Sequence, residues 1–104
     1  MTTPIAERKL LFSEKGQIER KLLVIRIFAP RPVEPDSPLY RPDQDTASCH
    51  VEFDGIPGAT IGDTFGNDSL QALQLAADDV EPTLKRLSSR YDLFFPTGEG
   101  YFDE

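Results

Sequence analysis

The chain's only cysteine and only histidine are neighbours, Cys49 and His50. A thiol beside an imidazole is a pairing from which nucleophilic catalysis can be built. Their setting argues against that use. From Ser48 to Phe53 apolar and polar residues alternate, so a strand turns Cys49, Val51 and Phe53 to one side and His50, Glu52 and Asp54 to the other. Adjacent strand residues point to opposite faces, which separates thiol from imidazole. Cys49 then reads as a small buried hydrophobe and His50 as a surface residue. His50 and Glu52 share a face, but two donors fall short of the three or four of a zinc site. They read as a surface pair, and neither a metal nor a cofactor is expected.

A second place for chemistry is the passage Gly62-Asp63-Thr64-Phe65-Gly66-Asn67-Asp68-Ser69, where a nucleotide-binding protein would keep its phosphate loop. No lysine follows the glycines, Asp63 and Asp68 set negative charge where a phosphate would sit, and the spacing does not fit a calcium loop. Asp68 with Gln71 three residues later makes a capping box that satisfies the first amides of a helix. With no catalytic constellation in view, the expectation is that the chain is not an enzyme. A ligand pocket near Asp63 and Asp68 is the alternative.

Charge narrows the partners. The formal net charge of the 104 residues is −7, which disfavours binding to nucleic acid, since each phosphate contact calls for a Lys or Arg. The balance is uneven: +4 over residues 1–31, −7 over 32–77 and −4 over 78–104. The basic front carries Arg8, Lys9, Lys15, Arg20, Lys21 and Arg26, the one stretch that could serve a nucleic-acid reader. No apolar run approaches the ~20 residues that span a bilayer. Charges also occupy the first nine residues, where a signal peptide would be apolar. A cytoplasmic protein is expected, and a single cysteine fits a reducing compartment.

The elements that position these residues point to an α+β domain spanning residues 1–104. Its two layers would be an antiparallel meander of four or five strands and one long helix. Strands are predicted at about 5–12 and 18–29, joined through Glu14-Lys15-Gly16-Gln17, then at 48–54 and 59–65, with a further short one possible at 93–95. Leu22 to Phe28 is apolar on both alternating faces, so that strand belongs in the sheet centre. Pro30-Arg31-Pro32 should end it and open a proline-rich connection over 30–45. There the Pro32-Pro35-Pro38 spacing also fits a polyproline-II docking segment. The helix is predicted over 68–89. Its buried stripe is Leu70, Leu73, Ala77, Val80, Leu84, Leu87 and Tyr91, with a kink at Pro82 on the opposite side. Residues 96–104 form a tail.

Leu75 lies far from that stripe, on the side of Pro82. Together with a strand apolar on both faces it suggests more hydrophobic surface than one helix covers, so Leu75, Pro82, Leu23 and Ile25 are candidates for contact with a partner or a second subunit.

The run Phe65-Gly66-Asn67-Asp68-Ser69-Leu70-Gln71-Ala72-Leu73, preceded by Ala29-Pro30-Arg31-Pro32, resembles the F-G-x-D-S-L-Q-A-L strand-to-helix motif of a family of small bacterial proteins known as a domain of unknown function. The resemblance implies a bacterial, cytoplasmic, stand-alone domain and brings no activity or catalytic residue with it. The leading expectation is a non-enzymatic protein-interaction module, with self-association as one form. The alternatives are an acidic inhibitor or immunity-type protein masking a basic partner, nucleic-acid binding through the basic hairpin, and a small-molecule binder or enzyme near Asp63 and Asp68.

Overall fold

Alternation of apolar and polar residues governs the larger layer, an antiparallel sheet. In the computed structural model, which describes residues 3–38, 40–42, 45–57 and 62–102, β1 (Pro4–Glu14) and β2 (Lys21–Phe28) form a hairpin with Leu10 opposite Leu23 and Arg8 opposite Ile25. β3 (Arg31–Pro32) and β4 (Ala47–Asp54) follow, then β5 (Gly62–Gly66) and, after the helix, β6 (Tyr91–Phe94). β4 pairs with β2 through Ile27 and Val51, with β3 through Pro32 and Ala47, and with β5 through both Val51–Gly62 and Ala47–Gly66. Val51 and Ala47 thus each have β5 on one flank and the β2–β3 line on the other. The sheet reads β6, β1, β2 with β3, β4, β5, a meander with the last strand added beside β1.

The fold class stands as expected, with three local corrections. The second strand ends at Phe28, just before Pro30-Arg31-Pro32, as expected, but the prolines do not open a loop at once. Arg31–Pro32 pairs with β4 as β3, and Val33 extends the line by donating its amide to the Thr46 carbonyl at 3.0 Å. Proline is tolerated because β3 is paired on one flank only, leaving an edge that needs no donor. The second strand starts at Lys21 rather than 18, and Ile18 in the turn is 94% exposed. The third correction concerns which helical face is buried. The predicted strand start at 59–61 lies outside the described residues.

Asp68 caps the helix as expected. Its carboxylate accepts the Gln71 amide at 2.7 Å, and the Gln71 side chain accepts from the amide of Asn67 at 2.6 Å, one residue earlier than in the standard box. α1 (Ser69–Asp78) and α2 (Val80–Leu87) are two segments of one bent helix joined at Asp79. The amide of Asp79 still reaches the Leu75 carbonyl at 3.1 Å, and that of Thr83 reaches Asp79 at 3.2 Å. Pro82 has no amide hydrogen for the Asp78 carbonyl, which accounts for the bend at this turn.

The buried line along the helix is Ala72, Ala76, Val80, Thr83 and Leu84. Leu70, expected in the stripe, is 62% exposed, and Ala77 is exposed as well, while Leu73, Leu87 and Tyr91 are partly buried against the core. The cause is a close approach. A Cβ added to Gly66 would stand 2.4 Å from the Ala72 amide nitrogen, so the helix rests almost backbone to backbone on β5 and only small residues fit there.

The core joins Leu10, Leu23, Ile25, Val51, Phe53 and Leu93 of the sheet to this helix line and to Ile56, with Tyr101 and Phe102 of the tail packed against it. Leu23 and Ile25, expected among the surfaces open to a partner, are 0% and 2% exposed and belong to that core. Part of the surplus apolar surface is therefore closed by the chain's own C-terminal aromatics. Leu75, at 41% exposed, and Pro82 remain at the surface. Among the described residues no helix is long and apolar enough to cross a membrane.

Candidate functional site on the open face of the sheet

The helix covers one face of the sheet, and the register assigns the residues of the other. Cross-strand partners share a face, so Arg26 stands with Glu52, His50 with Asp63, and Glu7 with Arg26. β4 is half-buried at every second position, and those positions hold Ser48, His50 and Glu52. The strand that contributes Cys49, Val51 and Phe53 to the core thus delivers the polar set to the open side.

Two linked clusters result. Arg26 reaches Glu7 (Nε to Oε2, 3.3 Å) and Asp54 (Nη1 to Oδ2, 3.2 Å), with Glu52 3.9 Å away. The hydrogen bond that Arg26 donates to Asp54 is the largest influence holding this guanidinium above its ordinary range, and the one to Glu7 adds to it against the opposing effect of desolvation. His50 lies between two carboxylates, Nδ1 2.8 Å from Asp63 Oδ1 and Nε2 3.5 Å from Glu52 Oε1. The Phe28 ring packs beside the imidazole, centroids 5.6 Å apart and tilted by 35°. Phe28, His50, Glu52 and Asp63, with Arg31 and Ser48 at one end, line a cavity of about 520 Å³. Arg31 has no ion-pair or side-chain hydrogen-bond partner in the described structure.

This arrangement limits the chemistry available. Both ring nitrogens of His50 face carboxylates, and no hydroxyl or thiol among the described residues hydrogen-bonds to the ring. Cys49 is on the opposite face, as the alternation requires. Its thiol is fully buried, donates to the Phe28 carbonyl at 3.2 Å, and is pushed above its ordinary range by desolvation first and by Asp63 second. Glu52 and Asp63 approach different nitrogens of the imidazole and so do not converge on one point. Among the described residues no group of three or more His, Cys, Asp or Glu is placed to hold a metal ion.

The other residues singled out in the sequence are dispersed. Asp68 borders a second cavity of about 350 Å³, with Tyr40, Arg41 and Asp45, but its carboxylate is engaged in capping. The basic hairpin does not make a patch. Arg8 is bound to Glu81 at 2.8 Å and to Tyr101, Lys15 to Asp92 at 2.9 Å, and Arg20 lies over the Phe94 ring at 3.7 Å. Arg26 is enclosed by acids on the open face, Lys9 stands 3.9 Å from Glu7 on that same face, and Lys21 is exposed on β2. Tyr101 also donates to Glu81, and its phenol is raised above its ordinary range by burial and then by that hydrogen bond.

The pairing of His50 with Glu52 was legible in the sequence, but Asp63 as the second partner and the acids around Arg26 were not. Their association depends on the registers of β5 on β4 and of β1 and β4 on β2, and no short motif encodes those.

Residues 6–92 match the model of the family described as Domain of unknown function (DUF6968), and the chain belongs to that family. No curated protein and no solved structure matches the chain.

Proposed function

We propose that this member of a family of unknown function is a non-enzymatic protein-interaction module whose open sheet face receives a basic side chain of a protein partner. One observation carries the reading: on a face that the fold leaves uncovered, the four carboxylates Glu7, Glu52, Asp54 and Asp63 exceed the three cations Lys9, Arg26 and Arg31, and two of them, Glu52 and Asp63, stand at the cavity on either side of His50. The side chains of Glu52 and Asp63 are 42% and 54% exposed at the cavity, so an incoming ammonium or guanidinium can reach them without first breaking the core. There it would gain charge-assisted hydrogen bonds and the face of Phe28. Arg31, which also lines the cavity and has no side-chain partner among the described residues, would donate to a carbonyl of the same incoming chain. Complementary charge of this kind raises association rate and selectivity more than it raises affinity. A lone buried thiol suits a reducing compartment, and we place the module in the cytoplasm.

The test is a titration of the ¹⁵N-labelled chain, at low salt, with a short Arg- and Lys-containing peptide and with a matched Glu-containing peptide. Amide shifts gathered at Phe28, His50, Glu52 and Asp63 with the basic peptide, and their loss in Glu52→Gln/Asp63→Asn, are expected. Equal response to both peptides, or none at these positions, overturns the reading.

A further inference from the structure

The cavity on the open face carries charge of both signs, and the register sorts that charge into rows. Arg31 of β3 stands opposite Ser48, and His50 opposite Asp63, so the two rows are two residues apart along β4. In a strand that step is roughly 6.5–7 Å. The first row holds a hydroxyl and an exposed guanidinium that has no side-chain partner among the described residues. The second holds Asp63, and Glu52 follows one row further on. Phe28 and Ala29 add apolar lining to the same cavity. An occupant that answers both rows brings an anion and a cation about one such step apart.

The backbone beneath narrows the choice. β4 is flanked on both sides, with Ser48 between Arg31 and Phe65 and Val51 between Ile27 and Gly62. The floor therefore offers no free strand edge to an extended segment, and an occupant is recognised through its own charges. A guanidinium without a partner is matched best by a carboxylate, which accepts two parallel charge-assisted bonds where a neutral carbonyl accepts a weaker one. A basic residue at the end of a chain carries both charges by itself. In an extended lysine the four-carbon stem sets the ammonium about 7 Å from the terminal carboxyl carbon, given bonds of ~1.5 Å. An internal segment would have to order two side chains to present the same pair. At about 520 Å³ the cavity has room for a whole residue with its side chain.

We propose that the cavity captures the C-terminal residue of the protein partner, a basic one, with its carboxylate on Arg31 and Ser48 and its side-chain cation on Asp63 and Glu52. The proposal rests on the reading of the open face as a receiver of basic side chains. It goes further by giving Arg31 a chain terminus to hold instead of a carbonyl within the chain.

Titration of the ¹⁵N-labelled chain with a short glycine-serine peptide ending in lysine tests it, with the peptide supplied as the free acid and as the carboxamide. The free acid should bind about tenfold more tightly or better, since only it brings a charge to Arg31. Arg31→Gln should lower the free acid to the affinity of the carboxamide and leave the carboxamide's own affinity unchanged. Because Arg31 is exposed and unpaired, this variant keeps the fold. Equal affinities of the two peptides, with shifts still gathered at Phe28, His50, Glu52 and Asp63, overturn the proposal while the basic-side-chain reading stands. No response to either peptide overturns both. A preference for the free acid that survives Arg31→Gln also overturns the proposal. So does a carboxamide peptide with lysine and glutamate two residues apart that equals the free acid, because an internal segment would then suffice. Free lysine should bind more weakly than the peptide, its extra ammonium lying beside Arg31, and binding as tight as the peptide's overturns the assignment to a protein terminus.

Discussion

The two faces of the sheet are built from alternate residues of the same strands, yet they follow different rules. On the helix side Leu23, Ile25, Val51 and Phe53 lose nearly all contact with water, and the alanines of α1 let the second layer settle onto β5. On the open side Arg26, His50, Glu52 and Asp63 are paired with one another while still partly exposed. Burial of each large apolar side chain contributes roughly 1.5–3 kcal/mol. An ion pair at an exposed position contributes about 0–1 kcal/mol. Stability therefore resides on one face, and the other is free to be specified by what it meets. Val24 is the exception, an apolar residue of the open face that is only 5% exposed.

The comparison is tested most severely by substitutions on the covered side. Leu84 is fully buried where α2 meets the core, and Leu84→Ala should cost about 2–5 kcal/mol in urea denaturation. Gly66→Ala should follow at roughly 1–3 kcal/mol, because its new methyl would stand 2.4 Å from the Ala72 nitrogen and would have to push the helix off β5. A loss below about 0.5 kcal/mol at both sites would mean that the helix is not seated on the sheet as described.

The same contact shows where the sequence was readable and where it was not. The strands were legible because their period of two is short and strongly marked, as in Cys49, Val51 and Phe53. The existence of the helix, its cap at Asp68 and its bend near Pro82 were legible because each depends on a local residue type. The phase of α1 was not. Leu70 outranks Ala72 in any hydrophobic pattern, but the approach of the helix to Gly66 admits only small side chains and turns Leu70 outward. β3 was hidden because prolines ordinarily mark the end of pairing, and here they sit on an edge. At the candidate site one strand offered His50 and Glu52, whereas Asp63, Glu7 and Arg26 arrive by pairings decided over the whole sheet.

On the open side, substitutions should separate binding from stability. Glu52→Gln/Asp63→Asn should move the urea midpoint very little, within about 0.5 kcal/mol, because neither side chain is buried. It should nevertheless abolish the response to a basic peptide. A large loss of stability would show that the carboxylates hold the sheet together, and the division between the two faces would then fail.

The smallest effect joins the faces through Cys49, whose thiol is in the core and feels Asp63 across the sheet. Desolvation first and Asp63 second raise its pKa above the ordinary 9.0, so the folded chain disfavours the thiolate more than the unfolded chain does. The stabilising difference is fully present below about pH 9, where both states hold the proton, and is lost as pH rises through the higher folded value. Tyr101 behaves in the same way from its ordinary value of 10.0, with burial ahead of the Glu81 hydrogen bond as the cause, so its loss begins later. Melting temperature measured between pH 8 and pH 11 should therefore decline in two stages. Cys49→Ala should flatten the earlier stage and Tyr101→Phe the later one. If Cys49→Ala leaves the earlier slope unchanged, the thiol is more accessible to water than its full burial and its hydrogen bond to the Phe28 carbonyl imply, and the covered face is looser at β4 than at the seat of the helix.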